Sequence, residues 1–94
     1  MYISTMLIEY DPQKNAINRR KHGVDFEDAR LVLFDHRALI REDEMTDAEQ
    51  RFIAVGLDAL GRVLTVVYTY REPDTIRLIS ARKATGKERQ AYEA

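Results

Sequence analysis

Three stretches rich in Val, Ile, Thr and Tyr follow one another at residues 50–58, 62–70 and 75–82, separated only by Ala59-Leu60-Gly61 and Glu72-Pro73-Asp74. Runs of this composition joined by such short turns read as consecutive hairpins, so the chain is predicted to build an antiparallel meander. The rest of the sequence then has to pack on that sheet. The third stretch runs straight into Thr85 and Glu88, which have the spacing of a capping box, so a strand is expected to pass into a short helix near Lys83.

Which side chains share a face depends on the two turns. With a two-residue Ala59-Leu60 loop, Asp58 pairs with Gly61 and Arg51 falls opposite Tyr68. With Glu72 to Asp74 as the second loop, Tyr68 falls opposite Leu78. Arg51, Tyr68 and Arg82 then lie on one face, and Arg71 and Arg77 on the other. Arg77 and Arg82 are five residues apart, so a regular strand points them to opposite faces unless a bulge or the strand end re-aims Arg82. A slip of one residue in either turn exchanges these partners.

Upstream, residues 6–10 read as a short strand, ended by an Asp11-Pro12 pair suited to the N-cap and first turn of a helix. That helix is expected to stop at Gly23, with Arg19, Arg20, Lys21 and His22 in its last turn facing the negative end of the helix dipole. Asp25 can cap a second helix whose stripe is Phe26, Ala29, Arg30, Leu33 and Phe34, with both phenylalanines in the core. Residues 38–43 read as a strand and 44–49 as an exposed polar loop. The expected fold is α+β, in β-α-α-β-β-β-β-α order, with two N-terminal helices on one face of an antiparallel sheet and a short C-terminal helix.

The 94 residues suffice for one domain spanning 1–94 and one core. With 45% hydrophobic and 33% charged residues the chain has no apolar run of membrane-spanning length, no signal-peptide pattern and no cysteine, which predicts a cytoplasmic protein that neither spans a membrane nor builds disulfides. His22 and His36 are 14 apart without the spacing of a zinc motif, and the four glycines are isolated, so neither a metal nor a nucleotide cofactor is expected. The net charge of −1 is unevenly spread, with cations at Lys14, Arg19, Arg20 and Lys21, an acidic middle, and cations again at Arg71, Arg77, Arg82, Lys83, Lys87 and Arg89.

His, Lys, Glu, Tyr and several Arg without a metal are the groups needed to cleave RNA through its own 2′-hydroxyl. A base takes the 2′-proton, cations hold the charge on the phosphoryl oxygens, and an acid protonates the leaving 5′-oxygen. Arginine suits the middle role because its planar fork bonds two phosphate oxygens while remaining charged. Lys21, His22, Glu49 and Glu88 are the candidate proton carriers, and Tyr68 a candidate to hydrogen-bond or stack on a base.

Beyond this chemistry, the order Asp11-Pro12, Lys21-His22-Gly23-Val24, Glu49 with Arg51, Tyr68 with Arg71, and Ile76-Arg77 through Ser80-Ala81-Arg82 to Glu88-Arg89 and Tyr92 resembles the BrnT family of bacterial toxins, from Ile8 to Tyr92. The resemblance implies a RelE-like fold, metal-independent RNA cleavage that halts translation, and neutralisation by a BrnA-like ribbon-helix-helix antitoxin through which alone operator DNA is contacted. Carried onto this chain, it points to Lys21, His22, Glu49, Arg51, Arg77 and Arg82 as candidate catalytic residues and to Tyr68, Arg71 and Glu88 as candidate substrate contacts. The slightly acidic balance departs from the basic character of such toxins. It keeps two alternatives open: a non-catalytic module acting only within an autorepressing complex, and an unrelated α+β domain whose arginines form structural ion pairs.

Overall fold

Asp11 opens the first helix, its carboxylate accepting from the Gln13 amide at 2.8 Å, and Gly23 closes it in the left-handed conformation at φ 71°. Between these caps α1 (Pro12–His22) follows β1 (Leu7–Glu9). Asp25 then caps α2 (Phe26–Ala29), which tightens into a 3₁₀ segment (Arg30–Phe34). The sheet strands β2 (Leu39–Asp43), β3 (Arg51–Leu57), β4 (Val63–Arg71) and β5 (Thr75–Lys83) come next, and α3 (Gly86–Glu93) ends the chain with the Thr85–Glu88 capping box formed. This is a computed structural model, and it describes residues 7–44, 49–71 and 74–94. Met6, most of the 44–49 loop, and Glu72 and Pro73 of the second turn lie outside the described residues.

The five strands form one sheet in the order β1-β5-β4-β3-β2. The sheet is mixed rather than wholly antiparallel, because β1 pairs with β5 in parallel, Ile8 beside Ile76 and Glu9 beside Arg77. The helical segments α1 and α2 carry the chain from β1 at one edge to β2 at the other, and the antiparallel strands then work back until β5 lies beside β1, a long connection of the kind a parallel pair needs. One face carries the main core, where Val24, Phe26, Ala29 and Val32 meet Ala54, Leu64, Val66, Tyr68, Ile76, Leu78 and Ala81. α3 covers part of the other face, where Tyr92 packs on Val55 and Val63.

The expected stripe of the second helix is corrected. Four α-helical residues followed by 3₁₀ turns advance three residues per turn, so Phe26, Ala29 and Val32 are fully buried, while Leu33 packs on the margin of the core as expected and Phe34 turns away from it. Phe34 is 60% exposed, not buried in the core.

Both turn registers decide the faces. The Asp58 side chain accepts from the Leu60 and Arg62 amides and from the Arg62 guanidinium, and the Asp58 amide donates to the Arg62 carbonyl at 2.9 Å. With Gly61 at φ 79°, this makes a three-residue loop, and Phe52 rather than Arg51 lies opposite Tyr68. At the other hairpin Tyr68 pairs with Leu78 as expected, but the next pair is Val67 with Ser80, leaving Ile79 as an extra residue on β5. This is a β-bulge, and beyond it the alternation of β5 is reversed.

Candidate active site

The two one-residue shifts bring together what a regular sheet separates. Arg77 pairs with Thr69 and Arg82 with Thr65, so both arginines share the face of the odd-numbered β4 residues. Continuing the β3–β4 register one step sets Arg51 across from Thr69, and Asp43 pairs with Arg51 on the far side. One row across this face therefore reads Asp43, Arg51, Thr69, Arg77, Glu9. Arg41 lies one row along, beside Ile53, and Arg71 lies at the end of β4. Strands are about 4.8 Å apart, so the backbones of Arg51 and Arg77 are roughly 10 Å apart. The Arg82 row lies four β4 residues further, roughly 14 Å along the strand. The face presents an array of cations along a strand instead of a single cup.

Three of these arginines are held by carboxylates. Arg77 donates to Glu9 at 2.9 Å through Nε and lies 2.8 Å from it through Nη2. Arg82 forks onto both oxygens of Glu88 at 2.9 and 3.0 Å. Arg51 lies 3.7 Å from Glu49, and its buried Nε has no hydrogen-bond partner. Among the described residues, Arg41 and Arg71 have no ion-pair partner.

Glu88 is the most constrained group on the face. It accepts from Arg82, from the Thr65 hydroxyl at 2.8 Å and from the Thr85 amide at 2.8 Å. The Arg82 hydrogen bonds, followed by those from Thr85 and Thr65, outweigh desolvation and hold its carboxyl down at about 2. Arg82 in turn is raised above its ordinary value by the Glu88 hydrogen bond. Glu88 is thus ionised throughout the neutral range and holds Arg82 in place.

Tyr68 is on the opposite face. It is 2% exposed and packs against Phe52 and Tyr70, at ring separations of 5.7 and 5.9 Å. Burial first, and Tyr70 beside it, push the phenol up to about 12. A ring enclosed in this way offers no surface for base stacking, which corrects its expected role as a substrate contact. Lys21 and His22 end α1 beside the edge of β5 that β1 leaves uncovered. With Lys14, Ile17, Asn18, Ile79 and Ser80 they line a cleft of about 280 Å³.

Thr65, Thr69, Glu9 and Arg41 share the face of the arginines, although the sequence pattern alone does not single them out. The two threonines alternate with Val67 at the parity of Arg71, so the pattern is visible, but only a correct register shows that the parity faces the arginines. Thr69 donates to the Gln50 carbonyl at 2.6 Å, which ties the end of β4 to the segment entering β3. Arg41 and Glu88 flank an apolar groove of about 240 Å³ on this face, lined by Leu39, Ile40, Ile53, Val55 and Ala91. Among the described residues no three His, Cys, Asp or Glu side chains gather into a metal-binding group, and no helix is long and apolar enough to cross a membrane.

A model of the family described as the ribonuclease toxin, BrnT, of type II toxin–antitoxin systems matches residues 10–88. The chain is also similar to the Brucella abortus ribonuclease toxin BrnT, known from a 1.1 Å crystal structure, with 29% sequence identity, a TM-score of 0.67, and coverage of 86% of this chain and 99% of that one. Among curated proteins none matches the chain.

Proposed function

Since the chain belongs to the BrnT family of ribonuclease toxins from type II toxin–antitoxin systems, we propose that it is an endoribonuclease that cleaves single-stranded RNA across its arginine face without a metal. The observation that carries this reading is the β5 bulge, which turns Arg82 onto the face of Arg51, Arg71 and Arg77. Guanidinium forks in this array exchange their carboxylates for phosphate oxygens and hold the charge that builds in the transition state. Glu49, beside Arg51, takes the 2′-hydroxyl proton. The 2′-oxygen attacks phosphorus, the bond from phosphorus to the 5′-oxygen breaks, and water protonates the departing oxygen. The products are a 2′,3′-cyclic phosphate and a 5′-hydroxyl.

In this reading the protein acts in the cytoplasm, has a RelE-like fold and arrests translation. It is neutralised by a BrnA-like ribbon-helix-helix antitoxin, and operator DNA is reached only through that partner. The test is digestion of RNA by purified, antitoxin-free protein in excess chelator, alongside Arg77→Ala and Arg51→Ala. Cleavage with cyclic-phosphate ends, lost in both variants, is expected; an intact chain that leaves RNA whole while a control ribonuclease digests it overturns the reading.

A second reading, a non-catalytic module of an autorepressing complex, is favoured by one observation: Arg51, Arg77 and Arg82 each already have a carboxylate partner. Growth after induced expression separates the two, arrest supporting the nuclease and tolerance the module.

A further inference from the structure

We propose that the cleft between α1 and the free edge of β5 is a second RNA contact, which grips the sugar–phosphate backbone and leads the strand onto the arginine face. The proposal rests on the ribonuclease reading and assigns Lys14, Lys21 and Ser80 a role apart from the chemistry.

The cleft is built by a sheet edge. β1 covers β5 only from Thr75 to Arg77, so the strand beyond the bulge has an open side. α1 closes that side with one amide: Asn18 Nδ2 donates to the Ala81 carbonyl at 2.8 Å, and its Oδ1 accepts from the Ala81 amide at 3.1 Å, as a neighbouring strand would. Lys14, Asn18, Lys21 and His22 follow the 4, 7, 8 spacing of one helix stripe, so seating Asn18 on β5 sets both lysines and the histidine along the same edge. Ile17 and Ile79 form the apolar floor, and the volume is about 280 Å³.

The charges here differ in state from those of the arginine face. Among the described residues Lys14 and Lys21 have no ion-pair partner, and the Ser80 hydroxyl has no hydrogen-bond partner. The nearby Arg19 is held by Asp25 at 3.3 Å. A phosphate entering the cleft therefore displaces no carboxylate, whereas at Arg77 or Arg82 it must replace Glu9 or Glu88. The cleft is the site an RNA backbone engages at the lower cost. Ser80 joins the two regions, because it lines the cleft and pairs with Val67 on the face that carries Arg77 and Arg82.

The experiment is anisotropy with a fluorescent, fully 2′-O-methylated RNA, which binds without being cleaved, across a range of salt concentrations. It compares the intact chain with the double variant Lys14→Gln, Lys21→Gln, and with Arg20→Gln, an exposed α1 cation outside the cleft. Each lysine that meets a phosphate contributes about 0.7 to the slope of log affinity against log salt for a single strand, so the double variant is expected to lose about 1.4 in slope and about tenfold in affinity, well beyond Arg20→Gln. If the intact chain cleaves RNA and the double variant binds no worse than Arg20→Gln, the anchor is overturned and the ribonuclease reading survives. If the intact chain neither binds nor cleaves RNA, both fall. A double variant that loses affinity for its antitoxin while binding RNA normally makes the cleft a protein contact and likewise overturns the proposal.

Discussion

Replacing Glu88 by glutamine removes one carboxylate from the point where α3 meets the sheet, and leaves a side chain that still reaches the Thr85 amide as the fourth member of the capping box. In the folded chain the Glu88 carboxyl is held at about 2, against an ordinary value of 4.5. A depressed carboxyl adds stability that is complete above about 4.5 and is lost as pH falls through about 2. A shift of this size corresponds to about 3 kcal/mol before screening. The Arg82 side chain is 40% exposed, so solvent reduces the contribution to about 1–2 kcal/mol. Glu88→Gln is therefore expected to melt about 5–10 °C lower at pH 7. It should also flatten the loss of stability between pH 4.5 and pH 2. The same change frees Arg82 and takes the net charge from −1 to 0, so RNA affinity should rise. Thermal melts followed by circular dichroism over this pH range, with RNA binding at pH 7, are the assay. A variant with the parent's melting temperature and acid limb would refute the hold of Arg82 on Glu88. A folded variant that binds RNA but no longer cleaves it would show that the carboxylate takes part in the chemistry.

Asn18→Ala should destabilise the fold by about 2–4 kcal/mol in urea titrations, because it orphans the buried Ala81 amide and two carbonyls, and an unchanged midpoint would argue against the strand-like role of this side chain. Gly56→Ala sets a methyl 3.0 Å from Asp35 Oδ2 and 3.1 Å from the Ala38 methyl group, and should cost about 1–3 kcal/mol by the same measurement. Arg77→Ala, which removes a half-exposed pair with Glu9, should change stability by less than about 1 kcal/mol while lowering cleavage sharply, and equal activity in the variant would remove Arg77 from the site. Deleting Ile79 removes the bulge and turns Arg82 toward the core, so loss of the near-ultraviolet dichroism is expected; a folded deletion with full cleavage would show that the bulge does not organise the face.

Signals confined to a few neighbouring residues are legible in the sequence. Asp11-Pro12 and Gly23 bracket α1, Asp25 opens α2, and Thr85 with Glu88 opens α3, since a cap is one side chain bonding an amide two or three residues away. The three meander strands are equally plain from their composition and turns. The arginine face is not, because side chains on a strand alternate with a period of two, and one residue in a turn or a bulge moves a whole set across the sheet. Arg51 changes faces because Asp58 and Gly61 close a three-residue loop, and Arg82 does so because Ile79 bulges. The 3₁₀ turn that exposes Phe34 follows from how the 30–34 segment seats Val32 on the sheet, which no periodicity count contains. By itself, then, the sequence determined the element types, their caps and a supply of arginines in strands, all of which are local energies of the chain. The tertiary structure alone decided that those arginines face one way, because register is settled by long-range pairing and by the burial of Tyr68 and Leu78 on the other side.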